Sequence, residues 1–168
     1  MSYDFNNLFV IVRLFLSYVR SLLEYCSVIW SPSYENHKYR IESIQNKFVR
    51  YLRYRLGTRG MQMNSSQVMQ MFHLHRLEDR RRYFDLNFVF KVLNGIIVAP
   101  SILGRIDFYV PARNLRRCPL LSARSCNTRH AENMPLNIIV SSVNEFPNID
   151  FMGVTLNAFK RTISRELF

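Results

Sequence analysis

Apolar residues along this chain recur at helical intervals rather than in the alternation of a half-buried strand, and the breaks between them fall at Pro, Gly and polar clusters. Phe5 to Val19 and Ser21 to Trp30 read as one long helix or two abutting ones. They stop at Ser31-Pro32, because the residue before a proline is pushed out of the helical region. From Glu35 to Leu56 the pattern sharpens. At about 100° per residue, Ile41, Ile44, Phe48, Tyr51, Leu52 and Leu56 share one face, with Arg40, Lys47, Arg50 and Arg53 opposite. This predicts an amphipathic helix with a basic outer stripe, closed by Gly57.

The polar stretch Thr58 to Gln67 predicts a loop, and Val68 to Phe72 a short turn. His75 to Asn94 predicts a strong central helix. Its first half is charged, with Glu78 and Asp79 at helical spacing from Arg82. Its second half, Phe84 to Leu93, is apolar on every side, which implies burial, and Asn94-Gly95 supplies the C-terminal cap. Pro100 and Gly104 bracket a short helical turn. Phe108 to Glu132 holds Pro111, Pro119 and the arginines at 113, 116, 117, 124 and 129 with no sustained period. It reads as an extended, irregular excursion with a short strand at Phe108 to Val110. Helical signals return over Met134 to Phe146, with Asn133 as cap, and over Asp150 to Leu167, with Asp150 as cap.

These elements predict an all-α or nearly all-α single domain of about five to seven helices with one irregular basic excursion. Within residues 1–168, the N-terminal helices occupy 1–57, the central helix region 67–106, the basic segment 107–132 and the C-terminal helices 133–168. With 168 residues and 48% hydrophobic content the chain can bury a core. The segment Leu8 to Trp30 is apolar, but Arg13, Arg20 and Glu24 interrupt it before it reaches the roughly 20 residues of a membrane span. A buried helix or helix pair is therefore expected, and no membrane partner.

Charge changes the picture most. Lys and Arg number 23 against 12 Asp and Glu, a formal net charge of +11, and only four of the 23 are Lys. The guanidinium fork matches phosphate and stacks on bases, so nucleic acid is the expected partner. The candidate contacts are Arg40, Lys47, Arg50 and Arg53 on the basic stripe, with Tyr54 on the same helix able to stack on a base. Arg113, Arg116 and Arg117 join them from the irregular segment. A solvated helix face accounts for the stripe on geometry alone, and bracing of a loop accounts for the second cluster. Arg81 shares a helix face with Leu77 and Phe84, so it is expected to pair structurally with a buried carboxylate or carbonyl. Glu24 lies in an apolar helix one turn after Arg20, which makes a structural tie the expected role of that pair.

Other chemistries find little support. Cys118, Cys126 and His130 lack the tight Cys pair of a structural zinc site, and the five glycines form neither a phosphate loop nor a dinucleotide fingerprint. His73 and His75 have no acidic partner at metal spacing, and no nucleophile elbow occurs. No small-molecule substrate is expected. Three cysteines cannot all pair, and no basic n-region of a signal peptide opens the chain, so an intracellular setting is expected. In that setting the glycosylation sequon Asn64-Ser65-Ser66 carries no weight.

The run Tyr18-Val19-Arg20-Ser21-Leu22-Leu23-Glu24-Tyr25-Cys26-Ser27-Val28-Ile29-Trp30-Ser31-Pro32 is too particular to follow from composition. It resembles the block that opens the helical segment after the polymerase core in jockey-like, non-LTR (LINE-type) retrotransposon reverse transcriptases. Later blocks are similar in the same order: Ile41 to Phe48, Leu77 with Arg80-Arg81-Arg82 and Asp85-Leu86, Phe90 to Gly95, and Asn148 to Phe151 before Phe159-Lys160. The resemblance implies a thumb and post-polymerase region that grips RNA template or RNA–DNA duplex through backbone contacts. The alternative is a non-enzymatic protein-interaction or structural module, or a relic without function, whose Leu8 to Leu16 face packs on the missing polymerase core. The polymerase reaction in that family needs paired aspartates holding two metal ions. The only adjacent acids here are Glu78-Asp79, set among arginines. The resemblance therefore implies a C-terminal fragment without its palm that is no enzyme by itself and has no cofactor of its own, the Mg belonging to the missing polymerase domain.

Overall fold

The computed structural model describes residues 7–58, 60–111, 119–147 and 149–168. Its regular structure is helical, in the all-α class that the periodicity predicts. The elements are α1 (Leu8–Leu14), a π-helical stretch (Phe15–Arg20), α2 (Ser21–Glu24), α3 (Ser27–Trp30), α4 (Glu35–Gly57), α5 (Ser65–Met71), α6 (Leu77–Leu93), α7 (Pro100–Leu103), α8 (Arg129–Glu132), α9 (Pro135–Asn144) and α10 (Leu156–Leu167). Among the described residues, six helices reach seven residues or more: α1, α4, α5, α6, α9 and α10. The described residues form two compact units. One takes the chain up to Ser27 with Tyr34–Arg80, the other Val28–Ser33 with Arg81–Phe168.

In the first unit, the Asn7 side chain caps α1 by accepting from Phe9 N–H at 3.0 Å, meeting one of the orphan donors of a helix start. Ser17 and Ser21 hydroxyls then donate back to the carbonyls four residues earlier, through the π-helical stretch. Ser21 to Trp30 is not one helix: Cys26 takes a left-handed φ of 53° and separates α2 from α3. On α4 the buried row is Gln45, Val49, Leu52 and Leu56, spaced four, three and four residues apart. This corrects the expected apolar face. Ile44 and Tyr51 lie at its exposed edge and Val49 at its centre.

Against that row pack Leu8 and Val12 of α1 and Val68, Phe72 and Leu74 of the α5 region, with Phe15 stacked on Phe48 at 3.9 Å between ring centroids. Burying one such Leu or Phe side chain stabilises by about 1.5–3 kcal/mol. The expected loop through Gln67 ends earlier, because Gln67 Oε1 accepts from Asn64 N–H at 2.8 Å and starts α5 at Ser65. Two polar ties then fix the approach to α6. Gln45 Nε2 donates to His75 O at 2.9 Å, and the Glu42 carboxylate accepts from Leu77 N–H at 3.1 Å.

In the second unit, the apolar half of α6 is buried as expected, with Leu86, Val89, Phe90 and Val92 in the core beside Val140 and Val143 of α9 and Phe159 and Ile163 of α10. Phe90 stacks on Phe159 at 4.1 Å, and Phe151 meets Phe159 edge-on at 5.0 Å. Gly95, at φ 68°, ends α6 as its position after Asn94 predicts. Asn94 Nδ2 ties that end to Phe151 O at 2.8 Å.

Two expected caps are corrected. Asn133 closes α8, and Pro135 opens α9 with its ring preset for a first turn. Thr155, not Asp150, caps α10, its hydroxyl accepting from Ala158 N–H. Asp150 instead accepts from the N–H groups of Met152 and Gly153, a local turn that competes with helix. Those two bonds hold its carboxyl below the usual range. The expected strand at Phe108 to Val110 is a single antiparallel bridge to Leu121, with Tyr109 N–H donating to Leu120 O and Ser122 N–H to Asp107 O. The Asn144 amide clamps the same place by both donating to and accepting from the Leu121 backbone.

Candidate nucleic-acid interface

The outer side of α4 exists because its inner side is fixed. With Gln45, Val49, Leu52 and Leu56 buried, helical geometry turns Arg40, Lys47, Arg50 and Arg53 to solvent, and all four are exposed. Arg40, Lys47, Arg50 and Tyr54 follow one row, and Arg50 with Arg53 and Gly57 makes a second beside it. From Arg40 to Tyr54 the row runs about 21 Å along the axis. Between Ser43 and Thr58 the helix carries Lys47, Arg50, Arg53 and Arg55 and no acid.

Partnering separates these four cations from six others among the described residues. Arg20 and Arg80 share Glu24, Lys38 bridges Glu35 and Glu78, Arg76 approaches Glu78, Arg82 reaches Glu145, and Arg124 reaches Asp107. Among the described residues, no ion pair or side-chain hydrogen bond holds Arg40, Lys47, Arg50 or Arg53. Their charge is uncompensated where it meets solvent. A cation near a helix C-terminus interacts favourably with the dipole, by about 0.3–1 kcal/mol, but only within the last turn. Arg40 and Lys47 lie well outside that turn.

Three tyrosines interleave with the cations. Tyr39 is 73% and Tyr54 70% exposed, whereas Tyr51 is 37% exposed and lies under the Arg55 guanidinium at 6.0 Å. Sequence reasoning singles out Tyr54 alone and gives Tyr51 to the apolar face. Centring that face on Val49 places both Tyr39 and Tyr51 outside. Beyond Tyr54, Arg53 and Gly57 border an open groove of about 410 Å³ with Met61, Gln62, Met63, Asn64 and Gln67, whose amides offer donors and acceptors to a ligand.

Arg113, Arg116 and Arg117 lie outside the described residues, as does Cys118 of the Cys-Cys-His set. Among the described residues, no group of His, Cys, Asp and Glu is placed to hold a metal ion. None of their helices is long and apolar enough to cross a membrane.

The remaining polar residues that the sequence singles out have structural surroundings. Glu24 accepts both prongs of Arg80, with Nη2 at 2.8 Å, as well as Arg20 at 3.5 Å. Burial, then the neighbouring Arg80, lowers the Arg20 pKa from its ordinary value. His75 is lowered for the same two reasons, burial first. Arg81 and Asp85 are both buried, one turn apart on α6. Burial pushes the Asp85 carboxyl up to about 7 against the opposing pull of Arg81. Asp85 borders a small, partly open space with Val28, Ser31, Pro135, Ile138 and Ile139. That space has no room for a water molecule.

Comparison with known protein families, curated proteins and solved structures finds no match for this chain.

Proposed function

We propose that this chain is a nucleic-acid-gripping helical module of the kind that follows the polymerase core in jockey-like retrotransposon reverse transcriptases, and that α4 makes the grip. The observation that carries this reading is the set of four exposed cations, Arg40, Lys47, Arg50 and Arg53, gathered on the outer side of one helix without carboxylate partners, while several other arginines are tied. Such a row attracts phosphate without reading bases, so binding is largely independent of sequence. Arg113, Arg116 and Arg117 extend the proposed set of phosphate ligands. RNA template and RNA–DNA duplex are the proposed partners, and catalysis and Mg belong to a palm domain rather than to this chain.

The test is equilibrium binding of the purified chain to homopolymeric and mixed-sequence RNA, and to an RNA–DNA duplex, over a salt series. The expected result is affinity that varies little with sequence and falls steeply with salt, at about −0.9 in log-log slope per phosphate neutralised on B-DNA and somewhat less on single strands. Affinity that is absent at low salt, or indifferent to salt, overturns the reading.

A second reading has its own observation. Val10, Leu14, Tyr18 and Leu22 stay exposed along α1 to α2, an apolar helix face of the sort that docks on another protein. A docking module would show salt-independent association that disappears in Leu14→Glu and Leu22→Glu variants.

A further inference from the structure

Among the exposed aromatic side chains, Tyr39 and Tyr54 are distinguished by their neighbours. Each projects into solvent from the helix face that also carries Arg40, Lys47 and Arg50, and neither has a ring partner among the described residues. Tyr54 sits four residues after Arg50 and seven after Lys47, so it stands in line with them. Tyr39 lies eleven residues before Arg50, on the adjoining row. The two phenol rings are about 22 Å apart along the axis, with the cations between them. Tyr51 gives the internal contrast, since Arg55 already covers its ring.

A cation row alone is indifferent to whether phosphates belong to one strand or two. The tyrosines are not. In a duplex, bases stack on each other and hide their faces from a side chain on a convex helix, whereas an unpaired strand offers each base face for stacking. We propose that this face takes single-stranded nucleic acid, stacking bases on Tyr39 and Tyr54 while Arg40, Lys47 and Arg50 hold the intervening backbone. This rests on the nucleic-acid reading of α4 and narrows its ligand. The groove beside Arg53 continues the path, where the exposed Gln62 amide can meet base edges.

The experiment compares wild type, a Tyr39→Ala/Tyr54→Ala double variant, the matching Phe double variant and Tyr51→Ala. Each is titrated into a labelled single-stranded oligouridine and into an RNA–DNA duplex of equal length, at several salt concentrations. All of the substituted positions sit on an exposed face, and circular dichroism checks that helicity is kept. The expected result is a loss of single-strand affinity of about tenfold or more in the Ala double variant, with duplex affinity and the salt slope unchanged. The Phe variant and Tyr51→Ala should bind as wild type, because the stacking surface survives in both. Equal losses on single strand and duplex, or no loss on either, overturn the stacking proposal and leave phosphate gripping standing. Absence of salt-dependent binding by the wild type overturns both.

Discussion

Glu24 and Arg80, 56 residues apart in sequence, close a two-pronged ion pair in which Arg80 Nη2 lies 2.8 Å from Glu24 Oε2 and Nε approaches Oε1. Arg20 comes within 3.5 Å of the same carboxylate. One acid thus holds two guanidiniums, and all three side chains are largely buried. Removing the acid leaves two like charges facing each other out of water. Glu24→Gln is expected to cost about 2–3 kcal/mol, less than a fully buried pair because some solvent reaches it. The urea midpoint measures the loss. Arg20→Gln, which leaves the two-pronged pair intact, should cost less, and equal losses would contradict the geometry.

Asp85 supplies a pH dependence with a defined sign. Its carboxyl titrates at 3.8 in the unfolded chain and about 7 in the folded one. A folded pKa raised in this way contributes stability that is full below the unfolded value and lost as pH rises through the folded one. Stability should therefore fall between about pH 4 and pH 7, by about 4 kcal/mol from this group. Asp85→Asn, neutral throughout, should flatten that part of the profile. A variant whose stability keeps the wild-type pH slope would remove Asp85 as its source.

Thr155 and Asp150 make opposite predictions about α10. Thr155→Ala removes the hydroxyl that accepts from Ala158 N–H and should cost about 1 kcal/mol. Asp150→Ala should leave α10 intact and alter only the Met152–Gly153 turn. Amide exchange at Ala158 reports both: protection should fall in the first variant and persist in the second.

Phe159 contacts both Phe90 and Phe151, so its removal opens the second core at its most aromatic point. Phe159→Ala is expected to cost about 3–5 kcal/mol in thermal or denaturant unfolding. A cost under about 1 kcal/mol would mean that the three rings do not pack as described.

The helical class is legible because period is a property of the pattern itself, and the apolar half of α6 and its Gly95 terminus can be placed from residue types alone. What escapes depends on partners distant in sequence. The α4 face is misplaced by pattern because Ile44 and Tyr51 are apolar by type, yet the neighbours that bury Val49 come from α1 and α5. Arg20 is the local partner of Glu24, and nothing local points to Arg80. Asp150 and Thr155 are equally good caps in isolation, and only the Asp150 turn, which consumes its carboxylate, moves the helix start to Leu156. Of the candidate site, Arg40, Lys47, Arg50 and Arg53 follow from spacing, because exposure needs no partner. Tyr39 and Tyr51 escape for the same reason as Val49.

The most direct measurement of the central claim is the salt slope of RNA binding for wild type against a Lys47→Ala/Arg50→Ala/Arg53→Ala variant of matched helicity. If α4 grips phosphate, the log-log slope should shrink by about 2, near 0.7 for each of three single-strand phosphates that the variant no longer neutralises. Affinity should fall with it at low salt and converge on wild type at high salt. An unchanged slope would place the phosphate-binding residues elsewhere on the chain and contradict the account.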